Sequence, residues 1–396
     1  MVPSLRQQFN ASFTPQKYRA FLDGLREECG TPIKFRNCET PCFYPRRLLE
    51  QMAAYGMELV QQLLNNTEYL AASARAIPAE FNVPHETSHP EFIQADFGLV
   101  RNASGNLEPK LVEIQGFPSL YAYQTVLAQQ YIRAYALDKQ LKYILGGMGL
   151  DEYARLLRRA ILGGHEAKHV VLLEIDPQEQ KTQPDFLLTE RLCGIKTVNV
   201  RDVKKVDRRL YYECEGERTV IHRIYNRIIA DELVRKKIDL AFDFRDDLDV
   251  EWAAHPNWFY HISKFSIPFL KHPCVPQSQF LDQARSLPAD LSNYVLKPLY
   301  SFAGTGVIVG PKPEDLAAIP EARKSEYLLQ ERLEFAAVIE TPHGPTKAEL
   351  RIMYIWVDDL RPGPVLVRMG RGKMMGVDYN RDLEWVGSSA GMFLDE

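Results

Sequence analysis

Apolar residues recur at 48, 49, 52, 55, 59, 60 and 63 in PRRLLEQMAAYGMELVQQLL. That spacing predicts a helix over 45–64. Two short strand-like runs, 92–100 and 110–115, follow, joined by the turn-rich RNASGNLEP. A long amphipathic helix is predicted from about 119 to 137, with Pro118 and Ser119 suited to its first turn. Another is predicted over 151–162. Gly163 and Gly164 mark a boundary. Beyond it KHVVLLEID reads as a strand, QPDFLLTERLCG as a helix, KTVNVRDV as a strand and TVIHRIYNRII as a further strand. This alternation implies a parallel sheet with helices packed on it. Segment 258–271 has a helical pattern that HPCVP breaks. Strand groups at 294–310 and 327–338 come next, and 347–396 alternates strand-like runs with glycine-rich turns.

At 396 residues the chain is too long for one simple core. Apolar content of 45% and charged content of 25% are ordinary for a globular protein. A formal charge of −4 argues against nucleic acid as the main partner. No run reaches eighteen apolar residues, and the start lacks the apolar core of a signal peptide. The six cysteines (29, 38, 42, 193, 214 and 274) show no paired spacing, so reduced thiols and a cytoplasmic location are expected. The sequons at Asn10, Asn65 and Asn102 are then chance matches.

Several motifs bear on chemistry. His165, Glu166 and His169 match the zinc-protease spacing, but two glycines precede them and a strand begins at their end, which a helical zinc site does not allow. His85 and His89 are also four apart, in a Pro-flanked loop. No P-loop and no nucleophile elbow occurs. Asp96 lies in the first strand of a hairpin, Glu113 and Gln115 in the second. Residues two apart on a strand share a face, so these groups can form an all-oxygen site for Mg²⁺ held partly by substrate phosphates, or a solvated polar face. Lys264 and Lys297 precede a loop containing Ser301, Gly304 and Gly306, whose glycines let backbone approach phosphate oxygens. Gln330 and Glu331 end an apolar strand that can present an edge to adenine and a carboxylate to ribose. Glu349 and Arg351 open another strand, with Arg368, Arg371 and Lys373 clustered after it; such cations suit a transferring phosphoryl group or a solvated basic face.

The order of these motifs resembles the ATP-grasp ligases. Because the Asp96–Gln115 hairpin lies upstream of the lysines, the arrangement looks circularly permuted, as in eukaryotic-type glutathione synthetases and, more distantly, glutathionylspermidine synthetases. Gln115 stands where that family has Asn, and Ser301 lies near where it has a loop acid. Residues 386–391 look like the family's closing loop. The resemblance implies an α/β ATP-grasp fold, circularly permuted, with an inserted parallel-sheet substrate-binding domain. N-terminal helices and the metal hairpin would occupy 1–162, the βαβ domain 163–257, and the lid with the remaining core 258–396. It also implies an ATP-dependent carboxylate–amine ligase working through an acyl-phosphate. Lys264, Lys297, Ser301, Gly304, Gly306, Gln330, Glu331, Arg351 and Lys373 would bind ATP. Asp96, Glu113 and Gln115 would hold Mg²⁺, and Arg368 and Arg227 would act in catalysis. The implied partners are small carboxylate and amine substrates, with no nucleic acid or membrane and with a homodimer left open. A phosphotransferase on the same scaffold and a non-catalytic nucleotide-binding protein are the alternatives.

Overall fold

The computed structural model describes residues 1–284, 286–301, 304–372, 375–380 and 382–395, without the side chains of 230, 231, 378 and 379. Helices α1 (Pro3–Ser12) and α2 (Pro15–Cys29) open the chain. The Thr14 hydroxyl caps α2 by accepting from the Lys17 N–H, and Gly30 at φ 71° ends it in the left-handed conformation that glycine adopts freely. The short strand β1 (Cys42–Phe43) leads to α3 (Arg46–Leu64), which lies within the helix predicted over 45–64 and buries the same stripe. Helix α4 (Thr67–Ala76) and the hairpin β2 (Phe92–Arg101) and β3 (Leu107–Gln115) follow.

Helix α5 (Tyr123–Tyr135) starts later than the pattern suggests. Leu120 has φ 64°, which an α-helix cannot contain, and the distant Asp185 carboxylate accepts the N–H groups of Leu120, Ala122 and Tyr123 at 3.0–3.1 Å. The true cap is therefore supplied from elsewhere in the chain. After α6 (Leu150–Leu162) come β4 (Val170–Glu174), α7 (Gln183–Cys193) and β5 (Lys196–Asn199), the expected βαβ unit. Strands β6 (Lys204–Val206), β7 (Arg209–Cys214) and β8 (Glu217–Ile221) form a small antiparallel sheet. The single strand predicted over 219–229 is two: β8 ends at Ile221, and β9 (Arg223–Asn226) enters the parallel sheet after His222 turns the corner. That sheet, completed by β10 (Glu251–Ala253), runs β10-β9-β4-β5 with every pair parallel.

The helix predicted over 258–271 is also divided. Helix α8 (Ala230–Arg235) is short, and α9 (Trp258–His261) stops at the extended Ile262; a 3₁₀ segment then covers Lys264–Phe269 and contains Pro268. Proline lacks the N–H that a continuous helix would need there. Strands β11 (Ser278–Phe280), β12 (Tyr294–Pro298), β13 (Ile308–Val309) and β14 (Tyr327–Glu331) build an antiparallel sheet in the order β11-β14-β12-β13. The strand predicted to reach 338 ends at Glu331. The chain finishes with β15 (Lys347–Trp356), β16 (Leu360–Gly370) and β17 (Gly387–Met392). These join the early strands in a six-stranded sheet, β1-β17-β16-β15-β2-β3, antiparallel except for β1 with β17. The expected closing loop at 386–391 is thus largely strand β17, buried throughout. A strand between two partners is held by both ladders and cannot swing as a lid.

Alternation along this sheet sorts its two faces. Ala95, Phe97, Leu350, Ile352, Val365 and Val367 point to the core under α3. Tyr354 does too; its hydroxyl donates to the Ala53 carbonyl at 3.0 Å, and a Cβ on Gly56 would lie 2.0 Å from it. The opposite face is apolar at one end, where Phe92, Met353 and Leu366 meet α5 and α6, and charged at the other. The architecture is mixed α/β with several sheets, one of them parallel. All six cysteines are free. Among the described residues no helix is long and apolar enough to cross a membrane.

Candidate functional site

The charged end of the core sheet gathers residues from four strands. Asp96 sits opposite Arg351 on one side and Glu113 on the other, and Glu349 sits opposite Arg368. Strand alternation aims Gln94, Asp96, Glu349, Arg351 and Arg368 to the same face. Arg351 grips both Asp96 oxygens, at 2.5 and 2.6 Å, and reaches Gln94 Oε1 at 2.6 Å. Arg368 donates to Asp96 Oδ2 at 2.9 Å and to Glu349. Burial, the largest influence on Asp96, pushes its carboxyl up, but the two guanidiniums outweigh it and hold it below the ordinary range. Glu349 is raised by burial, which Arg368 only partly offsets. Arg368 is held above its usual value: burial opposes its charge, and Asp96 and Glu349 together prevail.

The hairpin carries a bulge. Asp96 pairs with Glu113 and Phe97 with Leu111, so Val112 has no opposite number. Leu111 and Ile114, three apart, both reach the core under α3, and this leaves Glu113 on the charged face. The Val112 carbonyl, out of the ladder, accepts Lys297 Nζ at 3.2 Å. Lys297 comes from β12 in the other antiparallel sheet, and burial pulls its ammonium down to about 8 against the attraction of Glu113. Lys264, on the 3₁₀ segment, lies 3.6 Å from Glu113 Oε2 and donates to the Ser301 carbonyl at 2.7 Å, with Ser301 Oγ at 3.5 Å. Lys264 and Lys297, called from the sequence as a pair, therefore converge on Glu113 from across the gap between two sheets.

Asp96 is near Glu113, but both its oxygens are engaged by arginine, so of the three residues expected to hold a cation Glu113 and Gln115 are left. Among the described residues no three His, Cys, Asp or Glu side chains form a ready metal cluster. Gly304 and Gly306 have φ of 76° and 73°, and a Cβ on Gly306 would lie 2.9 Å from Pro298. Gln330 is buried on β14, and among the described residues its Oε1 has no hydrogen-bond partner. Glu331 is exposed beside Gln277. Just beyond them a cleft of about 190 Å³ opens between the two sheets, walled by Val309, Leu333, Phe335, Lys347 and Met375. Arg371 turns away to the Glu384 carbonyl at 2.7 Å. Lys373 lies outside the described residues.

Arg227 is not in this cluster. Its buried guanidinium is paired with Asp185 at 2.8 Å and packs against Phe186, 5.0 Å from the ring centre. The zinc-protease match is absent as a helix: Ala167–His169 is a 3₁₀ turn, His165 contacts Glu251 at 3.2 Å and His169 stacks on His222. His85 contacts Asp247 at 2.6 Å, and His89 stacks on Trp356. Sequence reasoning did not assign Glu349 or Gln94 to the site. The signal was present: each stands two residues before a residue that was chosen, on the same strand face.

The fold matches that of a solved glutathione synthetase like-effector (GSS30) from Globodera pallida in its apo form. The TM-score is 0.61 over 96% of each chain, at 13% identity. No protein-family model matches the chain, and no curated protein matches it in sequence. At this identity the likeness is one of fold: a glutathione synthetase-like arrangement.

Proposed function

We propose that the chain is an ATP-dependent carboxylate–amine ligase with a circularly permuted ATP-grasp arrangement. The observation that carries this reading is the convergence of Lys264, Lys297, Arg351 and Arg368 with Asp96, Glu113 and Glu349 between two sheets. Four permanent or near-permanent cations against three carboxylates leave an excess of positive charge, which suits phosphates. The Gln330 oxygen would accept from an adenine amino group, and the cleft walled by Leu333 and Phe335 suits part of a nucleotide, being below the roughly 300–1,000 Å³ usual for whole-ligand pockets. The donor set also fits Mg²⁺, which commonly takes one or two carboxylates and completes its shell with phosphate and water. Glu113, with the Gln115 amide oxygen, would hold it, and it would supply charge neutralisation of the phosphates.

In this reading Lys264 and Lys297 bind the phosphates. Arg368, fixed by Asp96 and Glu349, presents its charge where a γ-phosphoryl group passes to a substrate carboxylate. Arg351 keeps Asp96 and Arg368 in place. Ser301, Gly304 and Gly306 would help exclude water from the acyl-phosphate until an amine displaces phosphate. A second reading, nucleotide binding without turnover, is favoured by the full engagement of Asp96 and by the Lys264–Glu113 contact. Incubation with ATP, Mg²⁺ and pooled acids and amines separates the two: a ligase releases ADP and phosphate and forms an amide. Glu113→Ala should lower turnover at least roughly a hundredfold, the scale of one lost electrostatic stabiliser, while calorimetry still detects nucleotide. Wild-type binding of ATP with no product from any pool would sink the ligase reading.

A further inference from the structure

A second cavity, of about 500 Å³, lies away from the charged cluster. It begins where β9 ends, at Asn226 and Ile228, runs along the 233–246 segment and is closed by Phe259 and Tyr260 of α9. The carboxyl ends of parallel strands are where such sheets take ligands. Its walls are aromatic: Phe81, Phe242, Phe244, Phe259 and Tyr260 all line it. Its charged lining is three carboxylates, Glu80, Asp243 and Asp246, against one ammonium, Lys205. Lys205 is bound to Asp246 at 2.5 Å, so it is not free to receive an anion. Asp243 is met by Arg245, whereas exposed Glu80 forms no ion pair among the described residues. Asn226 is closed on itself, its Oδ1 accepting from the Ile228 N–H at 3.1 Å. Aromatic faces and surplus carboxylate both attract a cation, and the apolar volume requires that the cation carry a hydrophobic body.

We propose that this cavity binds a small organic ammonium ion with an apolar body, of the arylalkylamine class. Its inner wall packs on two rings that neighbour the charged site in sequence. The Phe259 ring packs 6.2 Å from Phe117, two residues past Gln115, and Tyr260 packs 5.1 Å from Tyr300, which precedes Ser301. A bound amine therefore lies one aromatic layer from Phe117 and Tyr300. Binding here needs neither ATP nor ligase chemistry, so it is tested without nucleotide, and its failure leaves the ligase reading standing.

The probes are 2-phenylethylamine, 3-phenylpropanol and 3-phenylpropionate, measured by calorimetry on the full chain. The amine should bind at least about tenfold more tightly than the carboxylate, with the alcohol between them. Ala241→Trp, at an exposed lining position, should fill the cavity and weaken amine binding at least about tenfold while the melting temperature is kept. Glu80→Gln should weaken the amine several-fold and leave the alcohol unchanged, which separates a charge effect from a folding defect. Equal affinity for amine and carboxylate, or amine binding that survives Ala241→Trp, overturns the proposal.

Discussion

Lys297 is a buried cation that holds its proton less tightly than a free lysine does. Burial sets its folded value near 8, below the 10.5 of a free lysine. The folded chain therefore binds fewer protons than the unfolded chain between about pH 8 and 10.5, so its stability should rise with pH across that window. Phosphate arriving at Lys297 favours the charged form. Nucleotide binding near pH 8–9 should then take up a proton, and affinity should strengthen as pH falls from about 9.5 to 7. Calorimetry in buffers of different ionisation enthalpy reads the uptake directly. In Lys297→Arg the guanidinium is charged throughout, and the uptake should vanish; its persistence would remove Lys297 from the phosphate site.

Between elements, the tightest approach at the site is made by Gly98 of β2. A Cβ there would lie 2.3 Å from the Phe335 ring, and the neighbouring Leu99 carbonyl accepts the Ala336 N–H at 2.7 Å. Phe335 walls the 190 Å³ cleft. Gly98→Ala should displace that ring and weaken nucleotide binding roughly tenfold with no change of charge, whereas Gly105→Ala, at a turn with open space, should leave affinity unchanged. What was legible in the sequence follows the same division. The β2–β3 hairpin and α3 could be read because their apolar spacing matches one local period, and Glu113 and Gln115 because strand alternation is local. The start of α5 could not be read, since its cap is Asp185, more than 60 residues away. The pairing of Asp96 with Arg351 spans 255 residues, so nothing near Asp96 announced that its oxygens were taken. Likewise β17 looked like a glycine-rich loop because its glycines serve close packing. A Cβ on Gly391 would lie 2.8 Å from Val365, and none of this shows in a local pattern.

For the molecule as a whole, Asp185 joins parts that no single sheet connects. Its carboxylate receives three N–H groups at the start of α5 and the guanidinium of Arg227 after β9. Asp185→Ala should leave Arg227 buried without its partner and cost about 3–5 kcal/mol, read as a lowered melting temperature in thermal denaturation. A melting temperature unchanged from wild type would show that the junction is held by packing alone. The placement of β17 between β1 and β16 has a further consequence, in time rather than space. Ser389 and Cys42 meet across 347 residues of sequence. At about 5–20 residues per second, a ribosome needs roughly 20–70 s to make β17 after β1 has emerged. Through that interval β1 has no neighbour in the core sheet. The aromatic cluster of Phe9, Phe13 and Tyr135 also waits for Trp385. The nascent chain therefore leaves the apolar surface around β1 uncovered until β17, made more than 300 residues later, closes it.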